Sequence, residues 1–405
     1  MKIGIIREGK TPPDRRVPLS PAQCVQLKKQ FPNVEIGVQP SKIRCFADDE
    51  YCEAGINVTE DLTDCDVLLG VKEVPKGDLI ANKAYLFFAH VIKKQPYNRL
   101  LLQTILEKNI QLIDYEVLTD KQNNRIIGFG RFAGLVGAYN GLRAYGLRKG
   151  LFHLKPAHEC ADLEEMLTHV KELELPDVRM VVTGSGRVAG GVLEVLEATG
   201  VQRVTPEIYL ATDKCDGACY TQLEPGEYVA RRGGGEFDLL HFFKEPGMYE
   251  NAFLPYAEKT DLLISAAFWN PAAPRLFSEE DMKEESFSIE VIADITCDID
   301  GSIPATQMAS SIAEPFYDFN PYSEELEAPF SNENNITVMA VDNLPCELPK
   351  DASLDFGRNL MEKVFPSLFG DDEDGVIARA SITKNGQLTE KFSYLHDYVA
   401  EKQEN

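Results

Sequence analysis

What this chain lacks narrows it first. No apolar run approaches the ~20 residues that a membrane-crossing helix needs. The start, Met1-Lys2-Ile3-Gly4-Ile5-Ile6-Arg7-Glu8, has charges on both sides of a short apolar stretch, so it reads as a strand and not as a signal peptide. Positive charge is scarce. Lysine and arginine number 41 against 65 acidic residues, a formal net charge of −24. That balance disfavours nucleic acid and anionic membrane surfaces as partners, because polyanions are repelled. The nine cysteines include no CxxC pair, and Cys215 and Cys219, the closest two, have no histidines at zinc-site spacing. Reduced thiols in a cytoplasmic protein, and no metal, are the expectation. Repeats and low-complexity tracts are absent, and the acidic run Gly370–Asp374 reads as a solvated loop.

What is present describes an ordinary globular protein large enough for two domains, with 405 residues and 44% hydrophobic content. Short β-rich runs alternate with helical patterns, which argues for parallel α/β sheets. Strands are expected at Ile3–Arg7, Val34–Val38, Val67–Lys72, Ala84–Ala89 and Ile110–Asp114, with helices at Pro21–Gln30 and Pro96–Lys108. A Gly- and Ala-rich helix over about Ala133–Arg148 reads as a connector. The histidine-containing segment Leu151–Leu175 reads as a surface insertion. A second set of strands, from near Arg179, is expected at Thr205–Leu210, Leu262–Ala266, Val291–Ile295 and Ile336–Val341. The C-terminal helices, from Ala352 on, have no further strand to follow and are expected to return to the first domain.

The most specific local signal is Val181-Val182-Thr183-Gly184-Ser185-Gly186-Arg187-Val188-Ala189. It reads as a buried strand, a glycine turn and a helix start, the fingerprint of a dinucleotide-binding unit. Gly184 permits the turn, Gly186 lets backbone N–H groups approach a pyrophosphate, and Ala189 allows close packing of helix on strand. The helix N-terminus adds donors and partial positive charge for the phosphates. In doubly wound folds ligands gather outside the carboxyl ends of strands. Residues expected at such ends are Arg16, Lys72, Glu73, His90, Asp298 and Asn343.

Several motifs then coincide. Asp14–Pro21 (DRRVPLSP), Gly70–Pro75 (GVKEVP), Phe87–His90 (FFAH), Leu112–Glu116 (LIDYE), the glycine turn and Asp294–Asp298 (DITCD) run in one order along nearly the whole chain. Together they resemble the alanine dehydrogenase and lysine-forming saccharopine dehydrogenase superfamily. The resemblance implies an α/β protein of two Rossmann-like doubly wound parallel-sheet domains with an interdomain cleft. Residues 1–135 plus 343–405 would bind substrate, and residues 136–342 would bind the dinucleotide. Arg125–Gly130 (RIIGFG), Ala267–Trp269 through Leu276, Val341–Pro345 and Ile382–Thr389 lean toward the saccharopine-forming enzymes, including the lysine–ketoglutarate reductase part of the aminoadipic semialdehyde synthases. By this resemblance, the second, saccharopine-oxidising domain of the animal synthases is not expected here.

By this resemblance the protein is an NAD(P)-dependent oxidoreductase acting on a CH–NH group, with an amino acid and a 2-oxo acid as small-molecule substrates. Lys72 and His90 are implied as the catalytic pair, with Asp298 beside the nicotinamide. Saccharopine carries three carboxylates, so cations must gather in an otherwise acidic protein. Arg16, Arg125, Lys72 and Lys93 are the candidates, with Glu73, Glu116 and Phe129 completing the substrate set. Gly184, Gly186, Arg187, Ala189, Ala267, Phe268, Asp298 and Asn343 are implied around the dinucleotide. Glu207, in the expected second strand, is the nearest acid for the ribose, while Arg187 and Arg203 suit a 2′-phosphate, so NAD and NADP both stay open. Two other readings remain: alanine dehydrogenase, with pyruvate and ammonia, and a non-catalytic dinucleotide-binding sensor. Oligomeric state is not readable.

Overall fold

The structure, a computed structural model, describes residues 1–401. Positions 402–405 of the expected first-domain segment lie outside the described residues. The chain divides into two compact units, Met1–Phe129 with Pro349–Asn405, and Gly130–Leu348.

Unit 1 is built on a six-stranded parallel sheet: β1 (Lys2–Ile5), β2 (Glu35–Val38), β3 (Asn57–Val58), β4 (Val67–Leu69), β5 (Ala84–Phe87) and β6 (Gln111–Asp114). Its order is β3-β2-β1-β4-β5-β6. β1, β4 and β5 read as nearly continuous apolar runs because helices cover both faces. The helix Pro21–Gln30 starts where predicted, and the cause is local. Ser20 and Gln23 form a reciprocal capping box with Pro21 at the first helical position. The chain returns to this sheet at its end. The Ser353 hydroxyl accepts the Val17 N–H at 2.9 Å, and the Ile382 N–H donates to the Leu112 carbonyl at 2.7 Å. Phe356, Leu360 and Phe365 share one buried cluster with Ile3, Ile5 and Tyr115.

Unit 2 carries an eight-stranded sheet and a separate hairpin: β7 (Arg179–Thr183), β8 (Gln202–Arg203), β9 (Cys219–Leu223), then the hairpin β10 (Val229–Arg231) and β11 (Tyr249–Asn251), followed by β12 (Leu262–Ser265), β13 (Val291–Asp294), β14 (Phe316–Asn320), β15 (Glu325–Glu327) and β16 (Ile336–Met339). The hairpin aside, the order is β15-β14-β16-β13-β12-β7-β9-β8, parallel except for β14 and β15. Both units are therefore doubly wound.

Three expectations are corrected here. The stretch Thr205–Leu210 is not a strand: the Thr205 side chain caps a helix, Pro206–Ala211, and Pro206 at its first position suits a helix start. The strand beside β7 is instead β9, which the hydrophobic pattern did not single out. The Gly-rich helix, Gly130–Lys149, is no connector but a buried element of unit 2. A Cβ at Gly134 would stand 1.9 Å from the Val188 carbonyl oxygen, and one at Gly191 2.1 Å from that of Arg131. Two glycines thus let this helix lie directly on the helix Arg187–Ala198. Finally, Cys215 and Cys219 are joined as a disulfide, where reduced thiols were expected. The loop before β9 folds back and brings their Cα atoms to 6.2 Å. Among the described residues, no helix is long and apolar enough to cross a membrane.

Candidate active site

Each sheet has one topological switch point. In unit 1 the chain builds β1, β2 and β3 to one side, then crosses to lay β4, β5 and β6 on the other. The crevice between the carboxyl ends of β1 and β4 is where such a sheet takes a ligand. Lys72 and Glu73 follow β4, His90 follows β5, Glu116 follows β6, and Arg16 lies in the loop after β1.

His90, held at a positive φ of 53°, accepts its orientation from Glu73: Nδ1 lies 2.7 Å from Glu73 Oε1. The other Glu73 oxygen accepts Lys10 Nζ at 2.7 Å. Burial alone would raise this carboxyl, but the hydrogen bonds from His90 and Lys10 prevail and hold it down at about 2. Glu73 thus stays ionised and is the orienting partner of His90. Lys72 is half-buried, and desolvation, then the Arg16 charge, lowers its pKa from the ordinary lysine value.

Arg16 is buried and bonded through Nε and Nη2 to the Asp14 carboxylate at 3.0 and 2.5 Å. Its guanidinium lies over the Phe129 ring, 4.1 Å from the centroid, and Arg125 lies over Phe88 at 5.5 Å. Phe88 and Phe129 are 6.0 Å apart in one aromatic cluster with Tyr115 and Phe356. Two planar cations therefore rest on neighbouring rings, an arrangement suited to carboxylate forks. At the end of β6, Asp114 Oδ2, the Tyr115 hydroxyl and Glu116 Oε2 are enclosed without a hydrogen-bond partner. Burial pushes the Asp114 carboxyl up to about 7. Lys93 is not drawn into this group; it is exposed in the turn after His90.

In unit 2 the switch point falls between β7 and β12. Gly184 has a φ of +94°, and a Cβ there would stand 3.0 Å from the Ala267 Cα, so glycine is required twice over. Gly186 is extended, with φ −83°, and a Cβ there would meet no atom within 4 Å. It offers open backbone, not a strained turn. It precedes the 12-residue helix Arg187–Ala198, which has no side-chain cap and no acid in its first turn. Ala189 is buried beneath it and Arg187 is exposed. These features fit a pyrophosphate. Asp298 follows β13 and Asn343 follows β16, so they stand on the same rim as Ala267 and Phe268. A cavity of about 210 Å³ opens beside Thr183 and Ser265, walled by Tyr228, Phe242, Phe268 and Trp269.

Glu207 does not belong to this rim. It sits exposed in the first turn of the helix Pro206–Ala211, where the Thr205 side chain lowers its pKa. The acid at the end of the strand beside β7 is Glu224, since Thr183 pairs with Leu223. Sequence reading missed Glu224 because the edge strand β8 intervenes. It also missed Glu8, whose oxygens accept the N–H groups of Val71 and Lys72 at 2.7 and 2.9 Å. Its place directly after the first strand was the available signal. In the segment Leu151–Leu175, Cys160, Glu165 and His169 have potential ligand atoms within 4.8 Å of one another, but Lys155 Nζ already binds Glu165 at 2.6 Å.

Residues 4–136 match the family described as alanine dehydrogenase/PNT, N-terminal domain. Mouse mitochondrial alpha-aminoadipic semialdehyde synthase is 29% identical over 429 residues, covering 94% of this chain and 46% of that protein. The Arabidopsis thaliana alpha-aminoadipic semialdehyde synthase is 28% identical over 447 residues, covering 97% and 41%. The Emericella nidulans saccharopine dehydrogenase (NAD+, L-lysine-forming) is 23% identical over 383 residues, covering 89% and 90%. This chain spans somewhat under half the length of the semialdehyde synthases. Among solved structures, an L-alanine dehydrogenase superposes with a TM-score of 0.65 at 15% identity, covering 99% of this chain and 100% of that one. Residues 4–136 thus match the alanine dehydrogenase/PNT N-terminal domain family, in a chain similar along most of its length to the alpha-aminoadipic semialdehyde synthases and the lysine-forming saccharopine dehydrogenases.

Proposed function

We propose that the protein is a saccharopine dehydrogenase of the lysine-forming type, joining L-lysine to 2-oxoglutarate reductively and running reversibly. The observation that carries this reading is the pair of guanidiniums, Arg16 and Arg125, on adjacent rings of one aromatic cluster. A 2-oxo acid with two carboxylates uses two such forks, whereas pyruvate needs one. The relatives named for saccharopine and aminoadipic semialdehyde chemistry support the same assignment.

In this reading Arg16 and Arg125 hold the two carboxylates of 2-oxoglutarate. Burial and the Arg16 charge favour the neutral amine of Lys72, which can then take a proton from the incoming lysine ε-ammonium or polarise the keto oxygen. His90, oriented through Nδ1 by an ionised Glu73, leaves Nε2 to deliver and remove protons as water departs and the imine forms. Glu116, with an enclosed oxygen lacking a partner, suits the lysine ammonium. The glycine turn, Ala189, Ala267, Asp298 and Asn343 would hold a reduced nicotinamide dinucleotide, which supplies the hydride for the imine carbon. The aromatic cavity beside β12 suits its adenine, and Glu224 suits the ribose hydroxyls of NAD(H).

Mass spectrometry of a reaction containing lysine, 2-oxoglutarate and NADH tests this. A secondary amine with the mass of saccharopine, dependent on all three components, is expected. Reduced dinucleotide consumed without that product would refute the assignment.

A further inference from the structure

Glu8 is tied to Lys72 through the backbone. The ladder between β1 and β4 ends at the pair Ile5 and Leu69, and the next strand-like donors of β4 have no strand to pair with. Glu8 takes them. Its Oε1 accepts the Val71 N–H at 2.7 Å and its Oε2 the Lys72 N–H at 2.9 Å. Gly70 comes close as well, since a Cβ there would lie 3.5 Å from Glu8 Oε1. The Val71 carbonyl is meanwhile held by the Phe88 N–H at 3.0 Å. The backbone from which the Lys72 side chain leaves is therefore fixed from both neighbouring strands, and on the β1 side by one carboxylate.

We propose that Glu8 is a positioning residue for Lys72, whose ionised carboxylate fixes the turn that aims the lysine amine at the substrate. The inference rests on the reading of Lys72 given under the proposed function. Both oxygens accept only when the group is ionised. A proton on either one turns an acceptor into a donor facing an N–H, and one of the two bonds is lost. The groups facing Glu8 are the charged Asp14 and Arg16 from the loop after β1, the Val71 and Lys72 N–H groups after β4, and the titratable Tyr115 hydroxyl after β6. Desolvation, opposed by the two backbone hydrogen bonds, pushes Glu8 up to about 7. The aim of Lys72 is then acid-sensitive near neutrality.

The test pairs turnover with chemical labelling of Lys72. In wild type, kcat should rise through a limb near pH 7, and the rate at which an amine-selective acylating reagent modifies Lys72, read by peptide mass spectrometry, should show the same limb. Glu8→Gln should lower kcat about tenfold or more, leave the KM for NADH unchanged, and remove the limb near pH 7 from both profiles, leaving the rise set by deprotonation of the Lys72 amine itself. Glu8→Asp should restore the labelling limb. Wild-type kcat and an unchanged limb in Glu8→Gln would overturn the proposal, and should that variant fail to fold, a wild-type labelling rate without a limb would do so. Labelling needs no substrate, so a protein inactive with lysine and 2-oxoglutarate would refute the proposed function and still decide the role of Glu8.

Discussion

Glu73 governs how His90 can act. With one oxygen on Nδ1 and the other on Lys10, it leaves Nε2 as the exchanging nitrogen. His90→Gln and Lys72→Met should each lower turnover on the order of 10²-fold, while NADH affinity, measured by fluorescence titration, stays near wild type. Normal turnover of His90→Gln across neutral pH would remove the histidine from the mechanism. Arg125→Met should weaken 2-oxoglutarate by about 1.5–3 kcal/mol, the worth of one charged hydrogen-bonding contact, without changing NADH affinity. Equal 2-oxoglutarate affinities in both proteins would leave Arg125 a surface cation stacked on Phe88. At this scale the sequence named Lys72, His90, Arg16 and Arg125 because each follows a strand or sits in a motif. It could not show that Glu73 serves His90, because that pairing depends on β4 and β5 lying side by side. Glu8 escaped for a similar reason: its partners are N–H groups 63 and 64 positions away.

Elements are where local chemistry and tertiary context part company. The glycine turn was legible because every residue in it has a local reason, and the helix Pro21–Gln30 because its cap is local. Gly186→Val adds a side chain where the backbone is open, with no positive φ to strain. NADH affinity should collapse while circular dichroism stays native, and unchanged affinity would place the dinucleotide elsewhere. Gly191→Ala is the contrasting case. Its Cβ meets the Arg131 carbonyl oxygen at 2.1 Å, so it should destabilise unit 2 by at least the ~1–3 kcal/mol typical of overpacking, read as a lowered melting temperature. The second strand was misread because apolar residues at Val204, Ile208 and Leu210 imitate a strand, while Pro206 and the Thr205 cap decide for helix. That error carried Glu207 into the cofactor set. With Glu224 in its place, Glu224→Gln should reduce the preference for NADH over NADPH, in kcat/KM, by on the order of tenfold.

For the molecule as a whole, the buried carboxyls of unit 1 set opposing pH demands. Glu73, held at about 2, contributes stability that is present above its ordinary value of 4.5 and lost as pH falls toward 2. Glu8 and Asp114, pushed up to about 7 by burial, act in the other direction. The folded form binds their protons more tightly than the unfolded one, so stability falls as pH rises from about 4 to 7. The melting temperature should therefore decline between pH 5 and pH 8, and Asp114→Asn should flatten the decline. The alternation of strands and helices revealed a doubly wound architecture in each unit. It did not reveal the hairpin β10–β11 or the antiparallel β14 and β15, whose short, mixed sequences lack a clean period.

On the proposed reading, unit 1 selects a dicarboxylic 2-oxo acid and an amino-acid amine. Initial rates of NADH oxidation, with 2-oxoglutarate plus lysine against pyruvate plus ammonia on the same preparation, address it most directly. The two stacked guanidiniums predict a much higher kcat/KM for 2-oxoglutarate, and lysine as the better amine. Faster turnover of pyruvate with ammonia would overturn that selectivity and make the protein an alanine dehydrogenase.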